Sequence, residues 1–197
     1  MASLVMGPDN RLYATTLDGK IMRFSVDEAT GELGNATAIT TIADNENGPR
    51  SVLGLAFDPA STPENPILWV SHNDPSYVGS PDWTGKIARL SGPNLENIQN
   101  LVVGLPRSVR DHQTNSLAFG PDGALYLTQG SSTATGETDA QWGLRTEHLL
   151  TAAVLRVDTA ALLSSGPVDV KTEDGGSYDP YAANAPIEPV PLIASSR

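Results

Sequence analysis

A short phrase recurs along the chain and limits the folds that the sequence can adopt. It consists of an apolar strand, a turn built on Pro and Asp, and a second strand, and its copies occur at 3–15, more loosely at 53–71, and at 116–128. The Gly-Pro-Asp-Asn and Gly-Pro-Asp-Gly turns favour tight hairpins, because Pro presets φ and the residue after Asp tolerates a positive φ. Each copy therefore predicts an antiparallel β-hairpin.

Further strands follow each hairpin. The pattern apolar-x-Arg-apolar predicts a third strand at 19–24, 85–90 and 153–158, and a fourth strand is predicted at 38–43 and 101–105. Four antiparallel strands that recur about every 50–60 residues are typical of a β-propeller blade. We therefore predict an all-β fold, an incomplete propeller of about three to four blades. A β-sandwich with coincidental hairpins is the alternative.

The repeat also predicts how the chain is divided. Within one partial propeller domain over 1–197, we expect blade 1 at about 1–45, blade 2 at about 46–105, blade 3 at about 106–170 and the start of blade 4 at about 171–197. A closed propeller usually needs at least about four blades. We therefore expect the sequence to be the N-terminal part of a longer chain.

Charge and composition exclude several partners. Lys and Arg number 12 against 23 Asp and Glu, which gives a net charge of −11. Such a chain repels phosphate backbones and anionic membrane surfaces, so nucleic acid is not an expected partner. The absence of Cys excludes thiolate metal sites and thiol nucleophiles. No apolar run is long enough to predict a membrane-spanning helix.

The segment most suggestive of chemistry is Asp111-His112-Gln113, which lies directly before the apolar strand of the third hairpin. In a propeller, residues that lead into the innermost strand face the central channel. A neutral His there can accept a proton, and an adjacent carboxylate can orient it. A polar turn that caps the strand is the alternative. His72 could line the channel too, but we interpret it, like His148, as structural.

These segments occur in the order found in a known family. The sequence resembles the soluble pyrroloquinoline-quinone-dependent sugar dehydrogenases, the glucose/sorbosone dehydrogenase-like family, at 53–59, 104–113, 117–126, 153–158 and 193–197. The resemblance implies a six-bladed β-propeller that oxidises a hydroxyl of a small-molecule sugar. It also implies hydride transfer to pyrroloquinoline quinone, polarised by Ca²⁺, a further electron acceptor, and a periplasmic or extracellular location.

The resemblance assigns roles by position. It implies that His112 is the general base, that Asp111 shapes the catalytic site, and that Gln113 and Arg197 contact the cofactor. The calcium ligands are expected beyond residue 197, so no metal ligand is assigned and the 197 residues alone are expected to be inactive. The turn at 129–133 departs from the family because it lacks a carboxylate, and 47–52 lacks an expected Gln.

Two other functions are compatible with these departures. One is a non-catalytic propeller that binds a carbohydrate or a protein. The other is a calcium-dependent lactonase-type propeller, which would need carboxylate and Asn ligands that converge on one ion in the channel.

Overall fold

The computed structural model describes residues 2–191, which form three β-sheets and two short α-helices. The first sheet contains, from its inner to its outer edge, β1 (Leu4–Met6), β2 (Leu12–Thr15), β3 (Ile21–Val26) and β4 (Leu33–Ile39). The second contains β5 (Ser51–Phe57), β6 (Ile67–Asn73), β7 (Gly85–Ser91) and β8 (Asn97–Leu105), with β12 (Val168–Asp169) parallel to β8. The third contains β9 (Thr114–Phe119), β10 (Leu125–Gln129), β11 (Ala153–Val157) and β13 (Ile187–Pro189). The helices are α1 (Thr41–Asn45) and α2 (Thr159–Ser165).

The repeated turns close hairpins as predicted. In the first sheet, the hydroxyl of Tyr13 on β2 donates to the carboxylate of Asp9 in the turn at 2.9 Å. In the third sheet, Tyr126 on β10 donates to Asp122 at 3.1 Å. Gly123 supplies the positive φ, 77°, that the second of these turns requires. The same sequence phrase therefore builds the same local structure twice.

Aromatic side chains join each sheet to the next. Tyr13 packs edge-on against Phe57 of the second sheet with ring centroids 5.0 Å apart, and Trp69 packs in the same way against Phe119 of the third at 6.5 Å. Two hydrophobic clusters fill the spaces between consecutive sheets. The inner strand β5 contacts both β1 and β9. Sheets that stack side by side around a common axis form a partial β-propeller, which confirms the predicted fold class.

The predicted strand at 38–43 is wrong in its second half. Strand β4 ends at Ile39, and α1 begins at Thr41. Ile42 is fully buried in the cluster between the first two sheets. A helical turn places this side chain in the core while the chain crosses to β5, which an extended strand would not do.

The third blade extends further along the chain than predicted. Its predicted boundary is at about residue 170, but its outer strand, β13, lies at Ile187–Pro189. After α2 the chain forms β12 on the second sheet and then returns, so that β13 pairs with β11 at Leu155–Pro189 and Val157–Ile187. Ile187 is fully buried in the core between the second and third sheets. The outer strand of the third blade therefore comes from the segment predicted to begin a fourth.

Three loops meet at one end of the second and third sheets, and they carry the candidate site. They are 74–84 after β6, 106–113 before β9, and 130–152 after β10. The amide of Ser80 donates to the carbonyl of Val109 at 3.3 Å, which joins the first two loops. The amide of Gly130 donates to the carbonyl of Gln113 at 2.9 Å, which joins the second and third.

Candidate functional site

Arg107 holds the loop that carries the predicted site residues. Its guanidinium is fully buried and donates to the backbone carbonyls of Ser108, Arg110 and His112 within the loop, and of Ser76 in the neighbouring loop. Burial lowers the pKa of Arg107 to about 10, because it removes the charged guanidinium from bulk solvent. The Ser108 hydroxyl accepts from the amides of Arg110 and His112 at 3.1 and 3.0 Å. The loop backbone is thus fixed by internal hydrogen bonds.

The side chain of His112 is partly buried and contacts three groups. Its Nδ1 lies 2.8 Å from the hydroxyl of Ser131, which follows β10. One face of the ring packs against the indole of Trp142, with ring centroids 4.4 Å apart and planes inclined by 40°. A Cβ on Gly130 would lie only 2.8 Å from the Cβ of His112, so the backbone behind the ring must be glycine. Within residues 2–191, Nε2 has no hydrogen-bond partner in the protein.

The two other predicted site residues that the structure describes, Asp111 and Gln113, lie in different environments. Asp111 is exposed, and its carboxylate makes no hydrogen bond to the ring of His112; the ring contacts Ser131 instead. Gln113 is buried, and its Oε1 accepts a hydrogen bond from Ser51 at the start of β5. Arg197 lies outside the described residues.

A bidentate amide contact joins the second and third blades beside Gln113. The side chain of Asn73 donates to the carbonyl of Thr114 at 2.9 Å and accepts from its amide at 3.0 Å. The hydroxyl of Thr114 in turn donates to Gln129 at 2.9 Å. The sequence did not predict the contacts of Asn73, Arg107 and Ser131, because they join segments that only the fold brings together.

His72 lies on β6 and is fully buried in a polar network. Its Nδ1 accepts from Arg50 at 3.1 Å, and its Nε2 lies 3.2 Å from Oδ1 of Asn100, to which it donates. Burial, assisted by the charge of Arg50, lowers the pKa of His72 to about 3. Both nitrogens are therefore engaged and the ring stays neutral, so we interpret His72 as structural.

His148 bridges two carboxylates at the outer side of the same loops. Its Nε2 lies 3.0 Å from Asp82 and its Nδ1 lies 2.8 Å from Glu173, while its ring packs on Trp83 with centroids 4.2 Å apart. Burial alone would lower the pKa of His148, but the hydrogen bonds to the two carboxylates outweigh it and raise that pKa. This contact fastens the segment around Glu173 to the loop 74–84.

The His, Asp and Glu side chains of the described residues do not converge in a metal-binding cluster. Among residues 2–191, no group of three or more His, Asp or Glu side chains could hold a metal ion. Within the same residues, no helix is long and apolar enough to cross a membrane.

Known proteins resemble this chain in sequence and in fold. The family model described as "Strictosidine synthase-like, N-terminal" matches residues 3–24, which include the first hairpin. Quinoprotein glucose dehydrogenase B of Acinetobacter calcoaceticus is 32% identical over 136 residues, which is 65% of this chain and 28% of that protein. The chain therefore spans little more than a quarter of this relative. The second match confirms the resemblance to the quinone-dependent sugar dehydrogenases that the sequence indicated.

A solved structure shows a similar fold. The crystal structure of a putative oxidoreductase (glucose dehydrogenase) from Thermus thermophilus matches this chain with a TM-score of 0.53 and 22% sequence identity. The match covers 79% of this chain and 42% of that one. This likeness supports the partial propeller described above.

Proposed function

We propose that this chain forms part of a quinone-dependent oxidoreductase that oxidises a hydroxyl group of a sugar, with His112 as the general base. Two observations support the proposal. One is the similarity to quinoprotein glucose dehydrogenase B over 136 residues. The other, which carries the catalytic assignment, is the partly buried imidazole of His112, held at Nδ1 by Ser131 and unpartnered at Nε2 within the described residues.

His112 would take the proton of the substrate. Oxidation of an alcohol to a carbonyl compound removes one proton from oxygen and one hydride from carbon. A neutral imidazole accepts the hydroxyl proton at Nε2, and a base of this kind typically contributes about 10²–10⁴-fold to the rate. A bound quinone would supply the acceptor for the hydride and its two electrons.

The described residues fit the proton-accepting part of such a site better than the cofactor-binding part. Arg107 and Arg110 in the loop, and Arg145 beside it, all donate to backbone carbonyls. No group of acidic side chains suited to calcium lies among residues 2–191. Gln113 is the predicted cofactor contact that the structure does describe, and its Nε2 would make that contact. We assign no step to calcium or to a cationic clamp here.

We propose that Asp111 binds the substrate rather than orients His112. Its carboxylate is exposed beside His112 and makes no hydrogen bond to the ring. Carboxylates bind sugar hydroxyls well because they accept strong hydrogen bonds. We therefore propose that Asp111 contacts the substrate, in which case Asp111→Asn should raise KM more than it lowers kcat.

Sugar-dependent dye reduction by the whole protein, supplied with pyrroloquinoline quinone and Ca²⁺, tests the proposed function. His112→Ala should lower turnover at least about 100-fold, because the proton acceptor is lost. Gln141→Ala is the matched control, since its side chain is exposed next to Trp142 and only its backbone carbonyl is used, by Arg110. Wild-type turnover in the His112 variant would refute the assignment of the base. Absence of sugar oxidation in the wild-type protein would refute the activity.

A further inference from the structure

We infer that the hydroxyl of Ser131 fixes neutral His112 as the tautomer that carries its proton on Nδ1, so that Nε2 presents a lone pair to the substrate. The inference rests on the proposed function for its catalytic meaning, while the tautomer itself is a property of the protein alone. Ser131 is therefore a positioning residue, which acts on the substrate through His112.

The hydrogen-bond inventory of Ser131 determines the tautomer. A serine hydroxyl has one proton to donate and lone pairs that accept. Its Oγ lies 2.7 Å from the carbonyl oxygen of Thr133, which can only accept, so the hydroxyl proton points there. The contact of 2.8 Å with His112 must then be an Nδ1–H group that donates to Ser131 Oγ. The opposite tautomer would require the hydroxyl to abandon the carbonyl of Thr133.

The loop after β10 places the Ser131 hydroxyl on its acceptor. Thr133 is fully buried, and its amide and that of Ser132 donate to the carboxylate of Glu147, each at 2.9 Å. This contact fixes the turn that contains the carbonyl of Thr133. Because the turn is anchored, the carbonyl of Thr133 stays within hydrogen-bond distance of the Ser131 hydroxyl and accepts its proton in preference to Nδ1 of His112.

The packing of the ring determines where Nε2 points. Trp142 covers one face of the imidazole, and Gly130 lies against its Cβ. Trp142 is itself held in a 3₁₀ turn over Ala140–Trp142, which is capped by Asp139, with Gly143 closing the turn at a φ of 69°. A 180° rotation about the Cβ–Cγ bond would put the carbon Cδ2 in the place of Nδ1, so the contact with Ser131 would be lost.

A hydroxyl at this position also differs from a carboxylate in its effect on charge. Both can accept from Nδ1–H, but a carboxylate adds a negative charge that favours the protonated imidazole. Ser131 orients the ring without that charge. The turn 129–133 therefore supplies the positioning contact although it lacks a carboxylate.

Nitrogen-15 NMR of the imidazole in the full chain, without cofactor, tests the inference. The wild-type spectrum at a pH where His112 is neutral should show the proton on Nδ1, and Ser131→Thr, which keeps the hydroxyl, should preserve it. Ser131→Ala should lose this preference and lower kcat of the loaded protein on the order of 10-fold, because the competent tautomer is no longer favoured. Ser132→Ala is the matched control, because its buried hydroxyl has no partner among the described residues.

The outcomes separate this inference from the proposed function. A wild-type ring protonated on Nε2, or an unchanged tautomer in Ser131→Ala, would overturn the role of Ser131 whether or not sugar is oxidised. An Nδ1-protonated ring that depends on the Ser131 hydroxyl would support it, even if dye reduction failed and refuted the oxidoreductase. The wild-type spectrum decides the tautomer even if a variant does not fold.

Discussion

His72 and His112 lie at the same end of two neighbouring blades, yet they have opposite chemical prospects. Both nitrogens of His72 are occupied, by Arg50 and Asn100, and the ring is fully buried. His112 is held at Nδ1 alone and is partly exposed. Polar neighbours alone therefore do not make a histidine reactive. A nitrogen that the protein holds in place but leaves without a partner can exchange protons with a ligand.

The two histidines should differ most in how much each contributes to the free energy of unfolding. His72→Ala leaves Nε of Arg50 and Oδ1 of Asn100 without their partner in a buried network, which should cost on the order of 3–5 kcal/mol in free energy of unfolding. His112→Ala removes one hydrogen bond and the packing against Trp142 at a partly exposed site, and it should cost about 1–2 kcal/mol. Denaturant unfolding of both variants measures the difference. Equal losses would show that the two histidines are held in similar ways.

A substitution at Gly130 should displace His112 without replacing it, and turnover should fall. Gly130→Ala puts a Cβ 2.8 Å from Cβ of His112 and 2.9 Å from the amide of Gln113, so the loop must move. We expect turnover to fall on the order of 10-fold, because small misplacements of a catalytic group are costly. Gly48→Ala is the control, since nothing lies within 4 Å of its added Cβ. Normal turnover in Gly130→Ala would contradict the described packing.

The sequence predicted the hairpins because their turns are local. Gly-Pro-Asp and the following Tyr fix the same contact at Tyr13 and at Tyr126. What covers each ring is not local: Tyr13 is fully buried against Phe57, whereas Tyr126 is only partly buried. The position of β13 was missed for the same reason, since it pairs with β11, from which α2 and β12 separate it in the chain.

The sequence predicted the local features of the candidate site but not the contacts between its loops. The position of His112 before β9 followed from the hairpin that begins there, and β9 begins two residues later, at Thr114. Its contact with Ser131 could not be predicted, because it depends on how two loops separated by β9 and β10 come together. The sequence instead suggested Asp111, which is adjacent in the chain but whose carboxylate does not bond to the ring.

His148, whose two nitrogens both bond to carboxylates, should give a smaller effect, on the pH dependence of thermal stability. Because the pKa of His148 is raised in the folded protein, its charge stabilises the fold fully below the unfolded pKa of about 6.5. That contribution should be lost as the pH rises through the folded pKa. Thermal unfolding between about pH 6 and 9 should therefore show a decline in Tm that His148→Gln reduces. An identical decline in the variant would show that His148 is not its source.

Two pH profiles, one kinetic and one spectroscopic, show whether His112 accepts the proton of the substrate. The acid limb of kcat/KM for sugar oxidation by the whole protein reports the base in the free enzyme. NMR titration of the His112 ring in the unliganded protein gives its midpoint independently. If His112 is the base, the two midpoints should coincide and the rate should fall as the ring becomes protonated. A rate that stays constant through the titration of His112 would contradict it.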